Sequence, residues 1–408
     1  MIGLIVLVVA GLVAGYWRLS APARRRALLI GTPSIAWLLT ALLLPDRSQP
    51  PDRFILAALL VAFEFGLIAL VAWTIMHRRR SAFTIGLLLL VGLFVVAKWP
   101  DAWTTLFGWL TLPLGAWLGL SFILFRLLHV LLEARKGQLP ATRFGDLLIY
   151  TLFPPSLIAG PIDRLPRFQV DLDRVGQAYR FEFLAEGAWR ILIGAFKKFV
   201  IADLLARLPL LLADYPGRTA VPALWLSLYA YGFMLYFDFS GYTDMALGVA
   251  RLIGFELPEN FSAPYLKTNL ARFWQSWHIT LSSWARDYVF FPLARTLRWR
   301  AEWLPANAVA LLCHLSTMLV IGLWHGFSWT FVAWGVWHGV GLFLVKLWGD
   351  FRRPRIAAAR RASTTRSWSA LPAWFLTFNY VMLGWVFFSA RDLPAAFTTL
   401  GRLFGIKL

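Results

Sequence analysis

Cysteine is nearly missing from this 408-residue chain: Cys313 is the only one, which excludes an internal disulfide and any thiolate cluster for zinc or iron and sulfur. Charge is also sparse. Charged residues make up 15% of the sequence against 59% hydrophobic, and a water-soluble chain of this length would lack the polar surface to cover its own core. Acidic residues are the scarcer kind, 21 against 40 basic, for a formal charge of +19. The lysines and arginines sit in short clusters between apolar stretches rather than along one soluble face, which argues for membrane topology and against nucleic acid as a partner. No HExxH, Walker A or GxSxG pattern occurs, so zinc protease, nucleotide hydrolase and serine hydrolase readings lack their motifs. A long-period repeat and a separate soluble domain are absent as well.

What the chain has instead is apolar runs of membrane-spanning length. They begin at residues 1 to 17, 27 to 44, 54 to 75 and 82 to 97. Each can cross a bilayer as a helix, because a helix satisfies its own backbone hydrogen bonds. The first run carries no small-residue cleavage site and leads straight into another apolar run, which predicts a retained first helix rather than a secretory signal. Arg18 with Arg24, Arg25 and Arg26, then Arg78, Arg79 and Arg80, then Arg135 with Lys136 mark alternate loops as cytoplasmic, with the N-terminus outside. A further basic segment, Arg352 to Arg366, reads as a cytoplasmic loop suited to anionic lipid heads or phosphates.

Up to about residue 97 the chain reads as simple spans, and from Trp99 onward Pro, Gly and polar residues interrupt the apolar stretches. This divides a single membrane region into N-terminal transmembrane helices, 1–98, and a core carrying the chemistry, 99–408. Tyr150 to Pro161 is too short, and too broken by Pro154, Pro155 and Pro161, to span; it predicts a re-entrant or interfacial element lining a cavity. Residues 162 to 186 read as a polar surface loop, and 187 to 213 resume as an apolar helix with Lys197 and Lys198 near its middle. Asp238 and Asp244 follow within 221 to 255. Carboxylates at that depth cost roughly 3 kcal/mol each and must be functional or paired. From Glu256 to Trp303 the composition predicts interfacial helices, and apolar helices return at 307 to 324, 327 to 348 and 371 to 389. The expected fold is an all-α integral membrane protein of about ten spans.

Two histidines stand among tryptophans, His278 in ARFWQSWHITLSSWARDYVFFPL and His325 in IGLWHGFSWTFVAWGVWHGVGL. His325 is flanked by Gly322 and Gly326, which allow close backbone approach while the imidazole stays away from bulk water. A neutral, desolvated imidazole is a competent general base. A structural alternative stands beside this one: Gly322, Gly326, Gly335 and Gly339 are spaced for small-xxx-small helix contacts, and His325 merely bonds a neighbouring helix. For His278 the alternative is an anchor at the membrane interface. His314 and His325 are 11 residues apart, about 16 Å along a continuous helix, too far to share a metal ion. Ser240 is a nucleophile candidate without a placed base. Arg272, Arg286 and Lys267, with Arg295, suit a phosphate-bearing donor on the cytoplasmic side, since Arg grips phosphate in a bidentate fork; lipid-head contact is the alternative.

Three stretches in this order, FDFSGYTDMALGVARLIGFELPENFSAPY, FWQSWHITLSSWARDYVFFPL and GLWHGFSWTFVAWGVWHG, resemble the bacterial membrane-bound O-acyltransferases (MBOAT) of the alginate O-acetylation type. PLGAWLGLSFILFR, FPPSLIAGPI, GAFKKFVIAD and FNYVMLGWVFFSA agree, so the resemblance covers roughly residues 100 to 390. It implies an MBOAT fold with re-entrant and interfacial helices, in which a cytoplasmic funnel meets the outer side at a narrow tunnel. In that family the His of the WHG motif, here His325, is catalytic, and the His of the FWxxWH motif, here His278, is a second important position. Trp324 and Trp277 are then expected in the tunnel wall, with Asp238, Ser240 and Asn260 beside the substrate. Gln275 and Ser276 stand where a basic pair is frequent, Ser328 where Asn is frequent, and PLARTLRWR lacks the usual glycines, differences that bear on donor and acceptor preference. Many relatives also continue beyond GWVFFSA with further helices, which bears on partner docking.

The reaction implied by the resemblance passes an acyl group to the hydroxyl of an extracytoplasmic polysaccharide, with His325 as general base. Acetyl-CoA is the expected donor, with no bound cofactor or metal. The bilayer of a bacterial inner membrane is the expected setting and a periplasmic acetyltransferase an expected partner. D-alanyl transfer from a carrier protein to a wall polymer shares both histidine motifs. A transporter with Asp238, Asp244, Lys197 and Lys198 along its path, and a non-catalytic scaffold, are the readings from other classes.

Overall fold

A computed structural model of the protein describes residues 13–43, 50–77, 79–99, 119–175, 181–207, 220–361 and 370–406. Most of the first expected span, and the stretch 100–118, lie outside them. The described residues form helices and turns with no strand. They pack as two compact units, Met1–Ala195 with Gly241–Pro258 and Phe196–Ser240 with Glu259–Leu408.

The first unit contains α1 (Ala21–Leu43), α2 (Pro50–His77), α3 (Arg80–Lys98), α4 (Leu120–Lys136), α5 (Phe144–Thr151), α6 (Leu165–Arg174) and α7 (Phe181–Phe196). On α2 the side chains of Ile55, Leu59 and Phe63, four residues apart, are exposed while Leu60, Leu67 and Val71 are buried. An exposed apolar stripe on a helix this apolar is a lipid-facing surface.

After α5 the chain breaks into a 3-10 turn at Pro154–Ser156, as the prolines predict. Arg126 of α4, 1% exposed, reaches into this break. It donates to the carbonyls of Tyr150 at 3.2 Å and Thr151 at 2.7 Å and to the Ser156 hydroxyl at 2.7 Å. The guanidinium thus replaces the helical N–H groups those oxygens lack, which apolar surroundings demand.

The expected surface loop 162 to 186 is instead partly the helix α6. Leu165, Phe168 and Leu172 fall on one face, and Phe168 packs against Phe153 and Phe255 at 5.0 Å from each. Average polarity hid this helical period, because an amphipathic helix is polar on one side only.

α8 (Val221–Leu252) runs through both units, with Gly241 onward in the first. That end packs on α7 glycine to glycine: a Cβ on Gly194 would lie 2.5 Å from the Gly241 carbonyl, and one on Gly187 2.8 Å from that of Gly248. Between these contacts Arg190 meets Asp244 at 2.6 Å. In the second unit a π-helical turn, Lys197–Ala202, carries Lys198, which bonds Asp238. Both aspartates are therefore paired.

The second unit continues with the short helices α9 (Leu270–Trp274), α10 (Ile279–Ala285) and α11 (Phe291–Arg300), the non-spanning stretch that composition predicts. α12 (Ala306–His325) and α13 (Trp329–Arg361) form a hairpin, followed by α14 (Leu371–Ser389) and α15 (Leu393–Leu403). A Cβ on Gly335 would lie 2.8 Å from the Met318 carbonyl, and one on Gly339 3.0 Å from the Leu315 Cα, so the small-xxx-small spacing does close α12 onto α13. On the other side Trp337 donates its indole N–H to the Tyr380 carbonyl of α14 at 3.1 Å. The basic segment expected as a loop is helical as far as Arg361; charge excludes burial but not helix, and Ala and Arg are good helix formers.

By length and composition four described helices can cross a membrane, Phe54–His77, Ala306–His325, Trp329–Arg352 and Leu371–Ser389. Arg80–Val96 is apolar but shorter. The count of about ten is not reached within the described residues.

Candidate active site

His278 sits in the turn between α9 and α10, with φ +44° in the left-handed region. Outside glycine this conformation costs about 1–3 kcal/mol and needs a surrounding structure that holds it. Asn260, fully buried, does the holding. Its carbonyl accepts the N–H of Ile279 at 2.9 Å, and its side-chain oxygen accepts the N–H and the hydroxyl of Thr280 at 3.2 and 2.6 Å. A helix N-terminus is usually capped by the side chain of the residue at the cap position. Here that residue is His278, and the capping oxygen comes from Asn260, so the imidazole is released from the role.

The His278 ring is 3% exposed and lies edge-on against Phe239 at 4.7 Å and Trp324 at 5.8 Å between centroids. Neither ring nitrogen bonds another described residue. Burial pushes the imidazole down to about 3 from its usual 6.5, so it is neutral near pH 7. An interface anchor would be exposed to headgroups, so that alternative does not fit the turn.

His325 ends α12, half-buried. Gly326 after it is extended, a conformation open to any residue, but a Cβ there would lie 2.9 Å from the Phe331 ring, and one on Gly322 2.5 Å from the Phe331 carbonyl. Space rather than backbone angle requires both glycines. The His325 ring meets Trp324 at 4.4 Å, Phe388 at 4.7 Å, Trp334 at 5.7 Å and Phe331 at 5.8 Å. The glycine contacts and the placement of the His325 ring are thus one arrangement. Trp324 touches both histidines.

The other expected residues are distributed around this pair. Trp277 points into an aromatic core with Trp385 at 5.1 Å, Phe261 at 5.2 Å and Tyr265 at 5.6 Å. Asp238 is occupied by Lys198, while its neighbour Phe239 supports His278. Ser240 is buried, with its hydroxyl unbonded among the described residues. Arg272 is exposed, its backbone N–H bonded to Asn269 at 2.8 Å, and Lys267 is half-buried after a 3-10 turn. Arg286 bonds Asp287 at 3.0 Å and, with Gln275, Ser282, Ser283 and His314, lines a cavity of about 320 Å³. Neither His278 nor His325 lines that cavity.

Sequence patterns missed Phe239, Trp334, Phe388 and His338. His338 is fully buried, and its Nδ1 accepts the indole N–H of Trp274 at 3.3 Å. It packs on Trp334 at 4.9 Å, and Trp334 borders His325. The usable signal was the second WHG in α13, with Trp334 one helical turn before its histidine.

A sequence profile of the MBOAT, membrane-bound O-acyltransferase family, matches residues 103–388, a range that includes every site residue above. Three named relatives are each similar over about two thirds of the chain or more. "Teichoic acid D-alanyltransferase" of Streptococcus thermophilus is 34% identical over 282 residues, 67% of this chain and 68% of that protein. "Probable alginate O-acetylase AlgI" of Azotobacter vinelandii is 37% identical over 292 residues, 70% of this chain and 53% of that protein. "Peptidoglycan O-acetyltransferase" of Helicobacter pylori is 34% identical over 286 residues, 68% of this chain and 50% of that protein. The chain thus spans about half the length of the latter two. With the profile covering well over half of its residues, the chain belongs to the membrane-bound O-acyltransferase family.

Proposed function

We propose that the protein is a multi-pass enzyme of the bacterial inner membrane that moves an acyl group, acetyl from acetyl-CoA, to a hydroxyl of an envelope polysaccharide. The observation that carries this reading is the meeting of His278 and His325 on one indole, Trp324, within an apolar ring of Phe239, Phe331, Trp334 and Phe388. Such a ring keeps water from a thioester, whose loss by hydrolysis is the competing reaction.

In this reading His325 takes the proton of the acceptor hydroxyl as its oxygen attacks the thioester carbonyl. A neutral His278 donates a ring N–H to the oxyanion, which suits a buried imidazole whose nitrogens bond no described residue. The C–O bond forms in this attack; as the oxyanion collapses the C–S bond breaks, and the thiol leaves with the proton held by His325. Arg286, Arg272 and Lys267 serve the phosphates of the donor. A periplasmic acetyltransferase partner would present the polymer hydroxyl to the site.

The test follows labelled acetyl from acetyl-CoA into envelope polymer in cells with wild-type or His325→Ala protein at matched membrane abundance. Loss of label only in the variant supports the assignment; equal label sinks it. A second reading, D-alanyl transfer from a carrier protein, is favoured by the fuller two-sided coverage of the relative named for that reaction. Labelled D-alanine entering the polymer from a loaded carrier, with no turnover of acetyl-CoA, would select it.

A further inference from the structure

Where α2 ends, α3 begins and α4 ends, the first unit holds a cavity of about 710 Å³. Pockets for small ligands measure roughly 300–1,000 Å³. Ile75, Phe83 and Leu131 give it apolar walls, and Arg79, Arg80 and Arg135 stand around them. All three arginines are exposed, and none pairs with a carboxylate among the described residues. The Arg135 guanidinium lies over the Phe83 ring at 4.5 Å, and the acid nearest to it in sequence, Glu133, is taken by Lys136 at 2.7 Å.

Four other arginines of this unit are paired with carboxylates. Arg25 holds Asp146, Arg167 holds Asp163, Arg190 holds Asp244 and Arg251 holds Glu186. The preference for basic residues at cytoplasmic helix ends accounts for the presence of Arg79, Arg80 and Arg135 but not for their meeting at one hollow with no acid among its described lining residues. Three exposed arginines lining one space favour an anion there, and the planar fork of arginine matches phosphate oxygens.

We propose that this cavity binds the phosphate headgroup of an anionic phospholipid. The position favours a lipid over a soluble phosphate: the apolar span Phe54–His77 ends here and Arg80–Val96 starts here. Met76, exposed at the same end of α2, adds apolar surface near the cavity for acyl chains. The assignment is independent of the proposed reaction and concerns residues that no step of it uses.

Native mass spectrometry of the purified full chain in detergent, titrated with phosphatidylglycerol or phosphatidylcholine, reads this directly. We expect one phosphatidylglycerol to bind at least roughly tenfold tighter than phosphatidylcholine and to lose that preference in Arg79→Gln/Arg80→Gln/Arg135→Gln. The single variants, each expected to weaken the same lipid, stand in should the triple variant not fold. Removing three exposed charges elsewhere, Arg295→Gln/Arg298→Gln/Arg300→Gln, should leave the tight lipid in place. Equal binding of the two lipids, or equal loss in both triple variants, overturns the proposal. Displacement of phosphatidylglycerol by coenzyme A or by inorganic phosphate at matched concentration would reassign the site to a soluble phosphate and overturn the lipid assignment.

Discussion

The side-chain oxygen of Asn260 accepts two hydrogen bonds from Thr280, one from its backbone and one from its hydroxyl, twenty residues along the chain. This closes α10 from outside and lets His278 keep a left-handed backbone with its ring turned inward.

Asn260→Ala should therefore act on catalysis more than on folding. The lost cap is worth about 0.5–2 kcal/mol, tolerable for a folded helix bundle, but the relaxed turn would move the imidazole. Polymer labelling should fall by roughly tenfold or more at unchanged membrane abundance, because small misplacements of a reacting group cost that much. Asn260→Asp keeps an acceptor and should retain more activity. Full labelling by the alanine variant would mean that the turn is held by other contacts.

Gly322→Ala should destabilise the α12–α13 hairpin by about 1–3 kcal/mol, because the new methyl meets the Phe331 carbonyl rather than a side chain able to swing away. Gly349→Ala on the same α13 meets nothing within 4 Å and should be neutral or slightly stabilising. Thermal unfolding in detergent compares the two, and similar Tm values would contradict the packing argument.

His338 offers a test that separates positioning from bulk. Its Nδ1 is the acceptor for Trp274, four residues before His278. An Asn side chain presents its oxygen near the place of Nδ1, whereas Leu does not. His338→Asn should keep most of the transfer rate and His338→Leu lose it, with Trp274→Phe behaving like the leucine variant. Equal rates for Asn and Leu would leave His338 as filling only.

The neutral state of His278 makes stability depend on pH. Its folded value, about 3, lies below the 6.5 of a free imidazole, so the unfolded chain takes up a proton first as pH falls. This contribution is complete above about pH 6.5 and is lost on acidification toward about 3, by up to about 1.4 kcal/mol per pH unit. His278→Gln removes it. Between about pH 7.5 and about pH 5 the wild-type Tm should drop further than that of the variant. Parallel drops would place a protonated, solvated imidazole in the fold.

The membrane character, the broken segment after Tyr150 and both histidine motifs were legible because they reside in composition and in short words. Asp238 and Asp244 could be read only as paired or functional, since their partners Lys198 and Arg190 are 40 and 54 residues away and are found by packing. α6 was hidden by averaging polarity over a segment whose apolar residues share one face. The capping role of Asn260 was not legible, because the helix it caps begins nineteen residues later, and the place of Trp334 beside His325, hinted at only by the second WHG, is set by the packing of α13 against α12.

Arg126 carries a last consequence, for biogenesis. Its partners Tyr150, Thr151 and Ser156 lie 24 to 30 residues downstream, so the acceptors of its charge belong to a later segment than α4 itself. A buried guanidinium left without acceptors is costly in apolar surroundings. The fourth helix should therefore reach its buried place only together with the prolyl turn that follows it, which makes residues 120 to 156 one unit of assembly rather than a helix and a separate loop.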